Sequence, residues 1–118
     1  MSTISVEDDQ LVVRLSRWGQ LAALRGPVRV PLSEVRSVAV EPDPWSALRG
    51  IRSPGTGWPG AIAYGTWRMT GEGSDFNAVR GRGPAVRVDL APGAPFSRLL
   101  VTVADPEATV DEIDSCRS

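Results

Sequence analysis

Lysine and histidine are absent from this sequence, and all thirteen basic residues are arginines. Without lysine, the chain can neither form a Schiff base nor use a lysine amine as a base. Without histidine, it lacks the usual general base near neutral pH and the commonest transition-metal ligand. The arginine bias itself is typical of a GC-rich genome. These absences favour a protein that is not an enzyme, and no cofactor is expected.

Cysteine and long apolar runs are also scarce. Cys116 is the single cysteine, and one thiol can complete neither an intrachain disulfide nor a zinc site within this chain. The apolar runs are short, as in residues 99–103, whereas a membrane-spanning helix needs roughly 20 apolar residues. The first ten residues, MSTISVEDDQ, lack the basic and apolar regions of a signal peptide. We therefore expect a cytoplasmic protein without a transmembrane segment.

The balance of charge argues against partners that are bound by broad electrostatic attraction. The net charge is −1, and acidic and basic residues are mixed along the chain. Such a chain has no broad attraction for nucleic acid or for an anionic membrane surface, so neither is an expected partner. Its 118 residues predict a single domain, with frayed termini at residues 1–8 and 115–118.

Glycine, proline and tryptophan are concentrated in residues 44–67, PWSALRGIRSPGTGWPGAIAYGTW, which hold three of the four tryptophans. Glycine and proline are typical of polar loops, but loops rarely carry the largest apolar side chains. This segment therefore either covers the core as a lid or presents an interaction surface. The candidate surface residues are Trp45, Arg52 and Trp58. Within the segment, residues 45–49 predict one helical turn and residues 53–60 a loop.

Short alternating segments elsewhere predict a mainly β domain. A helix is predicted at residues 16–26, and a terminal helix is predicted from Asp105-Pro106-Glu107, where an N-cap acid precedes a proline. Glycine-rich residues 81–83 predict a hairpin that joins two of the strands. The predicted strands are residues 10–15, 28–32, 35–41, 61–69, 76–80, 85–90 and 97–103. About seven strands and one terminal helix indicate a bent antiparallel sheet or a partly open barrel.

Three segments resemble bacterial pleckstrin-homology-like (PH-like) domains. These are VRVPLSEVRSVAVE at 28–41, DFNAVRGRGPAVRVDL at 75–90 and RLLVTVADPEATVDEI at 98–113, and the second is similar to uncharacterised actinobacterial proteins of that type. The resemblance implies about seven antiparallel strands capped by a C-terminal helix, and it implies a homo-oligomer. The short terminal helix, the helix at 16–26 and the long connection after residue 44 depart from the family pattern.

Three functions remain open. The favoured one is a non-enzymatic interaction or assembly module, whose protein partner adds a strand to an open edge or contacts the tryptophan segment. The first alternative is a small-ligand domain that binds an anion or a lipid headgroup through Arg80 and Arg82 at the RGRG tip. The second is a hydrolase that uses Asp75 and Asp89, if the two hairpin strands bring these carboxylates together.

Overall fold

The computed structural model describes residues 2–15, 28–48, 51–58, 62–69, 73–81, 83–92, 94 and 96–117. In the segments 51–58 and 62–69 it describes the side chains of residues 63–67 only. The described strands are β1 (Thr3–Glu7), β2 (Gln10–Arg14), β3 (Val28–Pro31), β4 (Val35–Glu41), β5 (Ile51–Trp58), β6 (Ile62–Met69), β7 (Gly73–Arg80), β8 (Ala85–Leu90) and β9 (Arg98–Val101). The described helices are α1 (Pro44–Ala47) and α2 (Pro106–Arg117), and a 3₁₀ turn spans Leu32–Glu34. The fold is therefore mainly β with a short C-terminal helix, as predicted.

The smaller sheet has the strand order β1-β2-β3 and is antiparallel throughout. Its first hairpin turns at Asp8 and Asp9, whose φ angles are 51° and 62°. Two consecutive positive φ values define the tight type I′ turn, which aspartate tolerates better than most residues. The N-terminal segment, predicted to be frayed, thus contains strand β1. That strand is held by Ile4 and Val6, which pack in or against the core.

The larger sheet has the order β4-β8-β9-β7-β6-β5, and β9 lies between β7 and β8. The predicted hairpin of β7 with β8 is therefore wrong, and β9 runs parallel to β7 and antiparallel to β8. The burial of Leu99, Leu100 and Val101 explains the difference, since each is at most 1% exposed. A continuous apolar run of this kind belongs to a central strand that is covered on both faces. The expected all-antiparallel sheet thus contains one parallel pair.

Residues 53–60, predicted as a loop, largely form the edge strand β5. The register of β5 against β6 shifts between Arg52 and Gly55, on either side of Pro54. Proline lacks the N–H that a ladder needs, and an edge position with a bulge tolerates it. Gly65 of β6 has a φ of 132°, a backbone conformation that is unfavourable for residues with a side chain. The helix predicted at residues 16–26 lies outside the described residues.

Both sheets and α2 share one core. The main cluster joins inner-face residues of the two sheets with Ile113 of α2, and Phe76 and Phe96 pack there with ring centroids 5.6 Å apart. Asp105 caps α2 as predicted, because its Oδ1 accepts the N–H of Ala108 at 3.1 Å. The helix continues to Arg117, whose guanidinium donates to the carbonyl of Arg36 at 2.8 Å. Neither described helix combines the length and apolar character that crossing a membrane requires.

Candidate functional site

Helix α1 covers part of the outer face of the larger sheet. Trp45, Ala47 and Leu48 pack against a second apolar cluster that includes Trp67 and Leu100. The indole Nε1–H of Trp45 donates to the carbonyl of Gly81 at 2.7 Å, so this half-buried tryptophan is anchored at both its ring and its polar edge. This part of the tryptophan segment has the geometry of a lid.

The other two residues of the predicted interaction surface lie in the edge strand β5. Arg52 is paired in register with Trp67, and Trp58 with Ile62. Their side chains lie outside the described residues. The structure therefore separates Trp45, which lies in the helix over the sheet, from Arg52 and Trp58, which lie in the strand at its edge.

An ion pair is buried beneath α1. Asp75 of β7 and Arg98 of β9 are paired in register, and Asp75 Oδ2 lies 3.5 Å from Arg98 Nη2. Their side chains are only 2% and 12% exposed. Arg98 also donates to the carbonyl of Ala47 at 3.3 Å, which ties the charged pair to the helix above it. The pair is built into the closed face of the sheet.

Asp89, the second predicted carboxylate, is not adjacent to Asp75. It is paired in register with Arg98 on the other side of β9, so two strand spacings, about 10 Å, separate the two aspartates. Asp89 accepts a hydrogen bond from Ser37 at 3.0 Å and lies 3.4 Å from Arg87. An arginine side chain thus lies between the two carboxylates, and Asp89 has partners of its own.

The predicted anion site is described in part. Arg80 is exposed at the end of β7, and its backbone N–H donates to Thr102 Oγ1 at 3.1 Å. Gly81 follows in the left-handed region, with a φ of 71°, and a Cβ there would meet open space. Arg82 lies outside the described residues.

A groove lies between the start of β1 and the start of α2, where the sequence predicted no site. Its volume is about 420 Å³, and Ile4, Val103 and Ala104 give it apolar walls. Its full lining is Ser2, Thr3, Ile4, Val103, Ala104, Asp105 and Thr109. The alternation of polar and apolar residues in Thr3–Glu7, followed by Asp8-Asp9, is the one signal that could have indicated an edge strand here.

Strand β1 lies beside this groove, and none of the described strands pairs with the edge that faces away from β2. Glu7 and Gln10 close the two-residue turn, so Ser5 and Thr3 make the next hydrogen-bonded pairs with β2. The backbone N–H and C=O groups of Ile4 and Val6 are consequently directed away from β2. Helix α2 also contacts β1, and the groove lies between the starts of the two elements.

The outer face of the smaller sheet carries an exposed ion pair. Arg14 donates through Nη1 to Glu7 Oε2 and through Nη2 to Glu7 Oε1, the latter at 3.0 Å, and Ser5 donates to Glu7 at 2.8 Å. These hydrogen bonds, chiefly those from Arg14, lower the pKa of Glu7 to about 2. Among the described residues, no group of three or more acidic, histidine or cysteine side chains could hold a metal ion.

Comparisons with protein-family models, with characterised proteins and with solved structures find no match for this chain. Its function is therefore inferred from the geometry of its own residues.

Proposed function

We propose that this protein is a non-enzymatic, PH-like interaction module whose partner is another protein. The observation that carries the proposal is the edge of β1, where Ile4 and Val6 direct backbone groups away from their own sheet beside an apolar groove. Unpaired backbone groups at a sheet edge are a ready template for a strand from another chain. The module would bind its partner there.

Two features support the PH-like assignment. The chain resembles such domains in sequence at residues 28–41, 75–90 and 98–113, and its two-sheet β architecture ends in a helix that contributes Ile113 to the shared core. The central position of β9 and its parallel pairing with β7 depart from the expected arrangement.

The geometry favours binding over hydrolysis. Hydrolysis by paired carboxylates requires two groups that face one substrate bond. Here Asp75 is buried against Arg98, and Asp89 lies on the other side of that arginine with Ser37 and Arg87 as partners. The tryptophan lid is likewise engaged, since Trp45 is bonded to Gly81. The edge of β1 is thus the better-supported site for a partner.

A photo-crosslinking residue placed at Thr3 tests the proposal. Thr3 is exposed and lines the groove, and Ser46, which is exposed on α1, is the matched control position. In cells of the native host, we expect a discrete protein adduct from position 3 and none from position 46. Equal adducts from both positions, or no adduct from position 3, would contradict the proposal.

Experiments on the purified protein test two other modes of action, self-association and the binding of a small ligand. Sedimentation velocity over a range of concentrations shows whether the adduct partner is a second copy of this chain. Phosphate and vesicles of anionic lipid test the small-ligand alternative, because either would raise the melting temperature in a manner abolished by Arg80→Ala. A stabilisation that depends on Arg80, without an adduct at position 3, would replace the interaction module with the small-ligand domain.

A further inference from the structure

We infer that the groove beside β1 takes an extended, basic segment of the partner, which adds to β1 as a fourth strand of the smaller sheet. This inference rests on the proposed function, because it assumes that the partner docks at the edge of β1. It adds the chemical class of the bound segment: alternate aliphatic residues in the central part and arginine or lysine at the two ends.

The backbone of β1 determines that the segment is extended. Ile4 and Val6 lie two residues apart, and both direct their N–H and C=O groups to the same side. Only another strand presents donors and acceptors at that spacing. The five residues of β1 span about 17 Å, so the paired segment has a similar length.

The groove determines that the centre of the segment is aliphatic. Its walls at Ile4, Val103 and Ala104 are apolar, and Ile4 is one of the two residues whose backbone faces the added strand. Because side chains alternate along a strand, a residue paired near Ile4 would direct its side chain into the groove. Transfer of that side chain from water into apolar surroundings is favourable in proportion to the area that it buries.

The charges at the two ends of β1 determine that the segment is basic. Asp105 lines the groove at the start of the strand, and Asp8 and Asp9 form the turn at its end. Glu112 adds a fourth carboxylate, because it lies three residues after Thr109 and so on the same flank of α2. All four are exposed. Two of the described arginines lie near these ends, and both are already paired: Arg14 with Glu7, and Arg117, which lines a second pocket together with Asp9, with Asp114. Complementary charges at these ends would select partners and fix the register.

A synthetic peptide provides the test. The probe is the capped peptide RTVTVTR, and the controls are the charge-inverted peptide ETVTVTE and a copy of the probe with alternate backbone nitrogens methylated. In a titration followed by ¹H–¹⁵N NMR, we expect RTVTVTR to shift the amides of Ile4 and Val6 to saturation. Added salt should weaken this binding. Both control peptides should bind about tenfold more weakly or less, because one loses the charge complementarity and the other the backbone hydrogen bonds.

A pair of variants locates the binding. Ala104→Trp fills the groove from an exposed position, and Ser115→Trp adds the same side chain at an exposed position on α2. We expect the first to weaken RTVTVTR about tenfold and the second to leave its affinity unchanged, since only the first removes the space for a valine side chain of the peptide. The dispersion of the remaining NMR resonances shows that each variant is folded.

Three results would overturn the inference: RTVTVTR leaves the amides of Ile4 and Val6 unshifted, ETVTVTE binds equally well, or Ala104→Trp has no effect. The crosslinking experiment distinguishes this failure from that of the proposed function. If an adduct still forms at Thr3, a protein partner docks at β1 but is not a basic strand. If no adduct forms either, both proposals fail together.

Discussion

The outer faces of the two sheets each carry an acid–arginine pair, but in opposite surroundings. On the larger sheet, α1 covers Asp75 and Arg98, which are 2% and 12% exposed. On the smaller sheet, Glu7 and Arg14 are 40% and 42% exposed. Exposed pairs contribute little to stability because water and salt screen them, whereas a buried charge that loses its partner has no solvent to replace it. Burial, more than the chemistry of the pair, should therefore set the effect of each substitution.

Removing the buried carboxylate should have the largest effect. Asp75→Asn leaves the guanidinium of Arg98 beneath α1 without its charged partner. We expect the free energy of unfolding to fall by about 3–5 kcal/mol, as for other broken buried pairs, measured by urea denaturation. A fall below about 1 kcal/mol would mean that the pair behaves as an exposed one.

The double variant Asp75→Leu/Arg98→Met provides the control for this prediction. It removes both charges and replaces them with apolar side chains of similar size, a change that is often neutral in proteins. We therefore expect it to be more stable than Asp75→Asn alone. A double variant that is as unstable as the single one would attribute the loss to packing instead of the unpaired charge.

Substitutions of Trp45, in the lid over the larger sheet, should have the next largest effect on stability. Trp45→Phe keeps an aromatic ring against the apolar cluster but removes the hydrogen bond from Nε1 to the carbonyl of Gly81. A typical hydrogen bond contributes about 1 kcal/mol, so we expect a loss of that size in urea denaturation. Trp45→Ala should cost more, because the apolar contacts are lost as well. Equal losses for the two variants would show that the ring contributes nothing to the lid.

The sequence predicted well those features that depend on local patterns. The capped start of α2, the one-turn helix near Trp45 and most strands follow from alternation and capping residues. It did not predict the insertion of β9 between β7 and β8, because the short connection after Arg80 is equally compatible with a hairpin. The order of the strands depends on which apolar strands are covered on both faces, and that is a property of the whole sheet.

The groove escaped prediction for the same kind of reason. Its walls come from residues near 4 and near 104, which are distant in sequence, and β1 lies in a segment expected to be frayed. The candidate carboxylates were identified, but Arg98, which separates them, belongs to a strand whose position could not be derived from spacing. Long-range strand order therefore limited both the fold and the site.

A substitution in the turn between β1 and β2 should raise the stability of the protein, whereas the preceding substitutions lower it. Asp9 has a φ of 62°, a backbone conformation that is unfavourable for a residue with a side chain but not for glycine. Asp9→Gly should therefore raise the free energy of unfolding by about 0.5–1 kcal/mol, as glycine is preferred at the second position of this turn. Asp43→Gly is the control, because its φ of −132° gives glycine no advantage there. If both variants lose stability in urea, the turn is not strained.

The exposed pair of Glu7 and Arg14 should affect stability least. Its effect on the pKa of Glu7 should nevertheless be the easiest to observe, by titration. Hydrogen bonds from Arg14 and Ser5 lower the pKa of Glu7 from 4.5 to about 2. Since the folded value is the lower one, the stabilisation is present above the unfolded pKa and is lost as the pH falls through about 2. In a ¹³C NMR titration of the carboxyl group, Arg14→Met should move the midpoint back towards 4.5. Arg29→Met should hardly move it, because Arg29 is the weakest of the influences on Glu7. Equal shifts in the two variants would mean that general charge, not the hydrogen-bonded pair, sets the acidity of Glu7.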